Sequence, residues 1–378
     1  MAWNWEQPDW PNFKWDRLRI SAAEEQFLLG TGVAIGTVKH LDEDEQNQLL
    51  VEVMSGEAVT TSAIEGEVLN RASVQSSILN QLGLASSDKR RVMPAEQGIA
   101  EMMVDLYRSC SRPLSGEMLF GWHRMVTSGR RDLAGIGKYR TTREPMQVVS
   151  GPIDARTVHF EAPPSKQVPA EMKRFVSWFN RTAPGNKEPL PAITRAGTAH
   201  LFFESIHPFE DGNGRIGRVI AEKAMTQSFA QPVLVSLATA ILAQQRSYYE
   251  ALERANRRND ITQWLVWFAA IALEAQRRSI AQVEFIIAKT KLLDRLRGKI
   301  NERQQKALLR MFREGPEGFK GGLSAGNYNT ITGASPATTT RDLADLTEKG
   351  ALIRTGERKH ARYLLNLNKV IDLTAKHG

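Results

Sequence analysis

Disulfide chemistry is absent from this chain, because its 378 residues hold one cysteine, Cys110. That excludes an intramolecular disulfide and any metal site built on cysteine thiolates, and a cytosolic setting is the default expectation. Long apolar runs are missing as well. The stretch from Trp264 to Leu273 falls far short of the roughly 20 residues needed to cross a bilayer, so no membrane contact is expected. The opening Met-Ala-Trp-Asn-Trp has no charged start leading into an apolar core, so it does not read as a signal peptide. No repeat or low-complexity tract occurs. What is present is an ordinary globular composition, 42% hydrophobic and 24% charged, long enough for two or three domains with real cores.

Charge is lopsided. From Ser279 onward there are 18 Lys and Arg against 10 Asp and Glu, whereas the remainder holds 32 of each, so the net +8 sits in the last hundred residues. A basic module of that size points to an acidic partner, with nucleic acid the first candidate and a solvated basic surface the plain alternative. Three regions follow. Residues 1–105 read as helical behind a tryptophan-rich arm (Trp3, Trp5, Trp10, Trp15) broken by Pro8 and Pro11, and the helical run Leu41 to Leu69 is expected to break at Ser55-Gly56 and at Gly66. Residues 106–280 stay helical apart from a β-hairpin, 147–160, turning at Ser150-Gly151-Pro152. Residues 281–378 begin with a basic helix from Lys289 to Phe312. They continue through a glycine-rich segment, a short helix, a helix opened by Ser335-Pro336 and two strands flanking Gly356 to His360, the element order of a winged helix. The expected class is mainly α, with a small α+β module at the C-terminus.

The segment His207-Pro-Phe-Glu-Asp-Gly-Asn-Gly-Arg-Ile-Gly-Arg218 concentrates the chemistry. Ala196, Ala199, Phe203 and Ile206 share a helical face, so His207 ends one helix, and a second begins near Arg215. Glycines at 212 and 214 let a phosphate approach backbone N–H groups, and the start of the second helix aims its free N–H groups into the same space. Arg215 and Arg218, three apart, both reach an anion. Asp211 offers a hard oxygen for a magnesium ion that keeps most of its waters. His207, with an unperturbed pKa of about 6.5, accepts a proton at neutral pH.

This segment resembles the Fic-domain signature, His-x-Phe-x-(Asp/Glu)-Gly-Asn-Gly-Arg-x-x-Arg, at every specified position. The resemblance implies the Fic helical fold, ATP as substrate with Mg²⁺, and transfer of AMP to a Tyr, Ser or Thr hydroxyl of a target protein. It makes His207 the general base and Phe209 the core anchor. Asp211 becomes the Mg²⁺ ligand, Asn213 with Gly212 and Gly214 the phosphate loop, Arg215 the β-phosphate contact and Arg218 the γ-phosphate contact. Glycine at 212, where family members that run phosphoryl transfer carry lysine, implies that AMP is the group moved. Upstream, Thr61-Ser-Ala-Ile-Glu65-Gly66 resembles the family's inhibitory helix, placed at about 55–66, with Glu65 pairing Arg218 in the γ-phosphate position. The hairpin corresponds to the flap that holds the target segment, and Tyr248 and Tyr249 lie where the family lines its adenine pocket, with core packing an equal reading. His200 reads as a structural histidine. Two further functions stay open: hydrolytic removal of AMP from modified protein, and a DNA-binding regulator that senses nucleotide. In the C-terminal module, Thr338, Thr339, Thr340 and Arg341 would meet DNA and Arg358, Lys359 and Arg362 would lie near phosphates, with Asp342, Asp345 and Glu348 diluting the positive face and a protein partner the alternative. A homo-oligomer is compatible with the sequence, which does not give its state.

Overall fold

The computed structural model describes residues 2–84, 92–151, 156–229, 235–315, 318–319 and 321–367. The chain divides into two compact units, one of residues 1–36 and 50–279 and one of residues 37–49 and 280–378. The first helices are α1 (Leu18–Lys39), α2 (Glu43–Ile64), α3 (Arg71–Leu82), α4 (Pro94–Arg108) and α5 (Gly116–Val126). A hairpin, β1 (Gln147–Ser150) and β2 (Thr157–Glu161), precedes α6 (Val168–Arg181), α7 (Ala192–Ile206), α8 (Asn213–Gln227), α9 (Leu237–Ala243), α10 (Gln245–Ala255) and α11 (Thr262–Leu296). Last come α12 (Glu302–Phe312), α13 (Ala325–Thr332), α14 (Pro336–Glu348), β3 (Leu352–Thr355) and β4 (Arg362–Leu365). Among the described residues no helix is long and apolar enough to cross a membrane.

The first unit is built around α7. Every residue from Ile193 to Ile206 is buried, which its Ala, Gly, Thr and Phe content allows on all faces. It packs antiparallel to α8 through the connection 207–212, with α4, α5 and α6 around the pair. The α6 helix shows how pattern becomes packing: Val168, Met172, Phe175 and Phe179 recur at three- and four-residue spacing and are buried against Phe202 and Phe203. The tryptophan arm lies on this unit. Asn4 donates to Ser205 Oγ at 2.8 Å, the Trp5 indole donates to the Glu161 carbonyl at 2.7 Å, Trp10 donates to Glu171 at 2.9 Å, and Trp3 meets Phe160 edge-on. The arm thereby steadies β2. The hairpin pairs Gln147 with Glu161 and Ser150 with Thr157, with a bulge between Val148 and Val149; Pro152 of its turn lies outside the described residues.

Two local expectations are corrected. The helix α2 runs unbroken through Ser55-Gly56, because Ser55 is buried and its hydroxyl bonds back to the Glu52 carbonyl at 3.0 Å, so packing overrides weak propensity. The basic helix expected from Lys289 to Phe312 is two pieces: α11 ends at Leu296, Gly298 turns the chain with φ 71°, and Asn301 caps α12 by accepting from the Gln304 N–H at 3.0 Å.

The second unit has its own core of Leu292, Leu296, Leu308, Tyr328, Leu343, Leu346 and Leu352 among others. The strands β3 and β4 pair antiparallel, and Leu323 bridges Tyr363 on the other edge. Helix, helix, helix, hairpin is the observed order. Two expectations at α14 change. Thr339 is buried and bonded to Asn329, so it faces inward. Asp342 is buried under Arg303 (3.0 Å), Tyr328 (2.9 Å) and Asn301 (3.2 Å), and Asp345 accepts from Gln304 at 2.6 Å. Asp342 therefore serves the core, while Asp345 stays part-exposed between Gln304 and Lys349, and Thr340, Arg341 and Glu348 are exposed. Arg358 is exposed and Arg362 half-buried; the side chain of Lys359 lies outside the described residues.

Candidate active site

His207 follows the last turn of α7 with a left-handed backbone (φ 49°, ψ 60°), which stops the helix and turns the chain into the loop. The loop is anchored by Phe209, fully buried and stacked on the His123 ring at 4.1 Å, with Tyr139 beside it. Burial lowers the pKa of His123 to about 4, so its ring is neutral and its Nδ1 accepts from the Gly137 N–H at 2.9 Å. The Asn213 side chain braces the same loop from both sides: its Oδ1 accepts from the Phe209 N–H and its Nδ2 donates to the Phe209 carbonyl, each at 2.9 Å. Its amide is thus engaged within the loop, and its backbone N–H lies in the first turn of α8, where helix N–H groups have no partner within the helix. Arg140, which sequence reading passed over, is buried and closes the other side. Its guanidinium donates to the His207 carbonyl at 2.8 Å, to Ile206 at 3.3 Å and to Pro163 at 2.5 Å, so one cation satisfies the end of α7 and the base of the hairpin. Burial lowers its pKa to about 10, which leaves it charged at neutral pH.

Both arginines of α8 are buried and each is held by residues at or beyond the end of α2. Arg218 donates to Thr61 Oγ1 at 2.7 Å, to the Thr61 carbonyl at 2.9 Å and to Glu65 Oε1 at 2.7 Å. Arg215 pairs with Glu67 at 2.5 Å and with Asp211 at 3.4 Å. Gly66 explains how two carboxylates two residues apart reach two arginines. It takes φ 82°, and the Glu67 N–H closes back on Ser62 at 3.0 Å, so the chain reverses and sets Glu67 beside Arg215. Glycine at 214 leaves room for the Glu65–Arg218 contact, since a Cβ there would lie 2.2 Å from Glu65 Oε1 and push the carboxylate aside. Asp211 has its carboxylate on Arg130, whose other face holds Asp132 at 2.6 and 2.8 Å. Burial opposes ionisation of Asp211, but Arg215, the Gly212 N–H and Arg130 outweigh it and hold its pKa below the usual value. Glu67, Arg130 and Arg140 lie outside any contiguous motif; the one sequence signal was Glu67 next to the Glu65-Gly66 pair.

A cavity of about 520 Å³ opens in front of these groups, lined by Glu65, Glu204, His207 and Gly214, by Val148 to Ser150, His159 and Phe160 of the hairpin, and by Tyr248 and Tyr249 of α10. Tyr248 is buried, with its hydroxyl 2.9 Å from His200 Nε2, so it is both core and wall. His200 is a buried structural histidine stacked on Trp264. Tyr249 is part-exposed and donates to the Ile64 carbonyl at 3.2 Å, where Gln245 donates at 2.9 Å, so α10 fixes the end of α2. His159 joins the hairpin to α10 through Glu253 at 3.0 Å.

Chemically, an imidazole and the first turn of α8 share a cavity large enough for a nucleotide, and the same helix carries two buried guanidiniums, Arg215 and Arg218. Among the described residues no group of three or more His, Cys, Asp and Glu could hold a metal ion. One carboxylate beside two arginines is no all-protein cation site, and it fits magnesium that arrives with a polyphosphate and keeps its waters.

Residues 113–225 match the Fic/DOC family, and residues 3–84 match a domain of unknown function, DUF4172. Over 134 residues the chain is 32% identical to protein adenylyltransferase fic-1 of Caenorhabditis elegans, covering 35% of this chain and 22% of that protein. Over 86 residues it is 35% identical to protein adenylyltransferase Fic of Drosophila mojavensis, covering 22% of this chain and 15% of that protein. The chain thus spans about a fifth of the length of the curated relatives it matches. Among solved structures, a Fic family protein from Desulfovibrio desulfuricans G20 superposes with a TM-score of 0.51 at 20% identity, covering 91% of this chain and 95% of that one. A Fic-domain signalling protein from Bacteroides thetaiotaomicron gives 0.52 at 16% identity, over 69% and 97%. With the motif, the fold and these matches in agreement, residues 113–225 of this chain form a Fic/DOC-family domain.

Proposed function

We propose that this protein transfers AMP from ATP to a hydroxyl of a protein substrate, and that the turn after α2 holds it at rest. The observation that carries the reading is His207 lining the same cavity as Gly214, in the first turn of α8, the helix that carries Arg215 and Arg218. The target hydroxyl oxygen attacks the α-phosphorus, its proton passes to His207, the bond to the β-phosphate oxygen breaks, and pyrophosphate leaves. The relatives named adenylyltransferases support this choice, as does glycine at 212. Arg215 and Arg218 neutralise charge on the leaving pyrophosphate, and the N–H groups at the start of α8 face the phosphates. Asp211 would hold Mg²⁺, which supplies charge stabilisation between the phosphates. The hairpin's exposed β1 edge is suited to pairing an extended target segment, whether its acceptor is Tyr, Ser or Thr.

In the resting arrangement the phosphate-binding arginines are already matched, Arg218 by Glu65 and Arg215 by Glu67, so ATP must displace both carboxylates. The defining experiment incubates wild type, Glu65→Gly and Glu65→Gly/His207→Ala with ATP labelled on the α-phosphate and Mg²⁺. Label confined to the single variant supports transfer, base and brake together; label surviving the loss of His207 removes the base assignment. Glu65 also lines the cavity, which favours a second reading, hydrolysis of AMP from modified protein with Glu65 orienting a water; release of AMP from pre-labelled protein by wild type and not by Glu65→Gly would select it. For the C-terminal unit we propose a winged-helix-like role in binding DNA, supported by its basic excess and by the exposed Arg341, Arg354 and Arg358.

A further inference from the structure

The motif begins at His207, but the imidazole is oriented by a residue one turn before it. His207 Nδ1 lies 3.6 Å from Glu204 Oε2, and both side chains are largely shielded, 15% and 10% exposed. The other carboxylate oxygen, Oε1, is buried with no hydrogen-bond partner. It is accommodated by Gly217 of α8, where a Cβ would stand 2.4 Å from Oε1. Nothing in the packing of α7 requires an acid here, since burying one without a full set of partners is costly. Burial alone would raise its pKa, yet the His207 ring at 3.6 Å, with His200 and Arg218 nearby, brings it below the ordinary range. Glu204 is therefore an ionised carboxylate held against the ring that faces the cavity.

We propose that Glu204 is a positioning residue for the base: its carboxylate selects the Nδ1–H tautomer of His207 and presents Nε2 as the free lone pair toward the acceptor hydroxyl. The same carboxylate stabilises the imidazolium formed once the proton has moved, the role an acid plays behind a catalytic histidine elsewhere. Other ionisable groups around this corner are His200 on α7, Arg218 on α8, Glu65 after α2, and Arg140 against the His207 carbonyl. Across the cavity stand Tyr248, Tyr249, Glu250 and Glu253 on α10 and His159 on the hairpin. None of these is within ion-pair distance of the ring among the described residues, so Glu204 alone selects the tautomer.

This inference rests on the AMP-transfer reading for its kinetic consequence but not for its structural one, and the test separates them. In a Glu65→Gly background, Glu204→Gln is compared with the parent by transfer of α-phosphate label across pH and by ¹⁵N shifts of the His207 ring. Transfer is expected to fall about tenfold to a hundredfold with KM for ATP unchanged, the acid limb of the pH profile to move to lower pH, and Glu204→Asp to recover part of the rate. The ring of the parent is expected as the Nδ1–H tautomer, with Glu204→Gln giving a mixture that titrates at lower pH. An unchanged tautomer and titration midpoint in Glu204→Gln overturn the proposal, whatever the rate. Absence of label in the parent with a ring that does respond to Glu204 would instead reject AMP transfer and keep the positioning role. Should Glu204→Gln fail to fold, the same ring measurement on Glu204→Asp decides, because a shorter acid must weaken the tautomer preference.

Discussion

At the scale of single residues, His207 combines a reactive side chain with an unfavourable backbone. A left-handed conformation costs a non-glycine residue about 1–2 kcal/mol, and here it is accepted because it aims the ring at the cavity and lets Arg140 collect the carbonyls behind it. The His207→Gly variant is therefore expected to lose all transfer of α-phosphate label while its melting temperature stays within a few degrees of the parent or rises. A fall of more than about 8 °C by calorimetry would show that the ring holds the loop as well as the proton. The twelve residues from His207 were legible because they are contiguous and each has a chemical reason to be there. Glu204, Arg140 and Arg130 were not, since each acts through a contact that folding makes: Arg140 reaches a carbonyl 67 residues away, and Arg130 reaches Asp211 across 81.

At the scale of elements, α2 and the first residue beyond it do two things along one face. Glu57, Thr61 and Glu65 follow at intervals of four; Glu57 caps α9 by accepting from the Ala238 N–H at 2.6 Å and from Thr239, while Thr61 and Glu65 hold Arg218. The turn at Gly66 then adds Glu67 on Arg215. Glu65→Gly is expected to raise labelling at least about tenfold and Glu67→Ala a few-fold, with the double variant above either; a Glu67→Ala protein no more active than wild type would confine the brake to Arg218. The same face should show in stability. Burial pushes Glu57 up to about 7, and Glu222, which shares a small cavity with Glu57, Thr61 and Arg218, is raised in the same direction. The folded state thus holds a proton that the unfolded chain releases near 4.5, so stability is greatest below that value and declines as pH rises to about 7. Urea unfolding between pH 5 and 7.5 should show this decline in wild type and a smaller one in Glu57→Gln, which keeps an acceptor for α9. Equal declines would place the proton elsewhere. The Thr-x-x-x-Glu-Gly spacing was readable from residues 61–66, but the unbroken course of α2 through Ser55-Gly56 was not, because propensity carries no knowledge of what the helix packs against.

At the scale of the molecule, every residue lining the cavity lies in the first unit, while the second, with 19 Lys and Arg against 14 Asp and Glu, holds most of the net positive charge. Of the acidic residues that seemed to dilute α14, Asp342 is turned inward beneath Arg303 and Tyr328, whereas Asp345 stays part-exposed against Gln304 and Lys349 and Glu348 is exposed. Duplex DNA binding measured by anisotropy is expected to weaken with rising salt, and Arg341→Ala or Arg358→Ala should each lower the slope of log K against log salt by about 1. Binding that ignores salt, or no binding at low salt, would turn this face toward a protein partner.

The sequence by itself determined the two motifs, the helical class, the hairpin and the chain order of helices and strands in the second unit, because each depends on local spacing, capping and turn chemistry. Only the tertiary structure decided that Glu67 joins Glu65 on the arginine pair, that Glu204 stands behind His207, that Asn213 braces the loop through its side chain, and that Thr339 and Asp342 face inward. These are pairings of charge and hydrogen-bond capacity across long sequence separations or between faces of one helix. A burial partner chooses among them, and the partner exists only once the chain has folded.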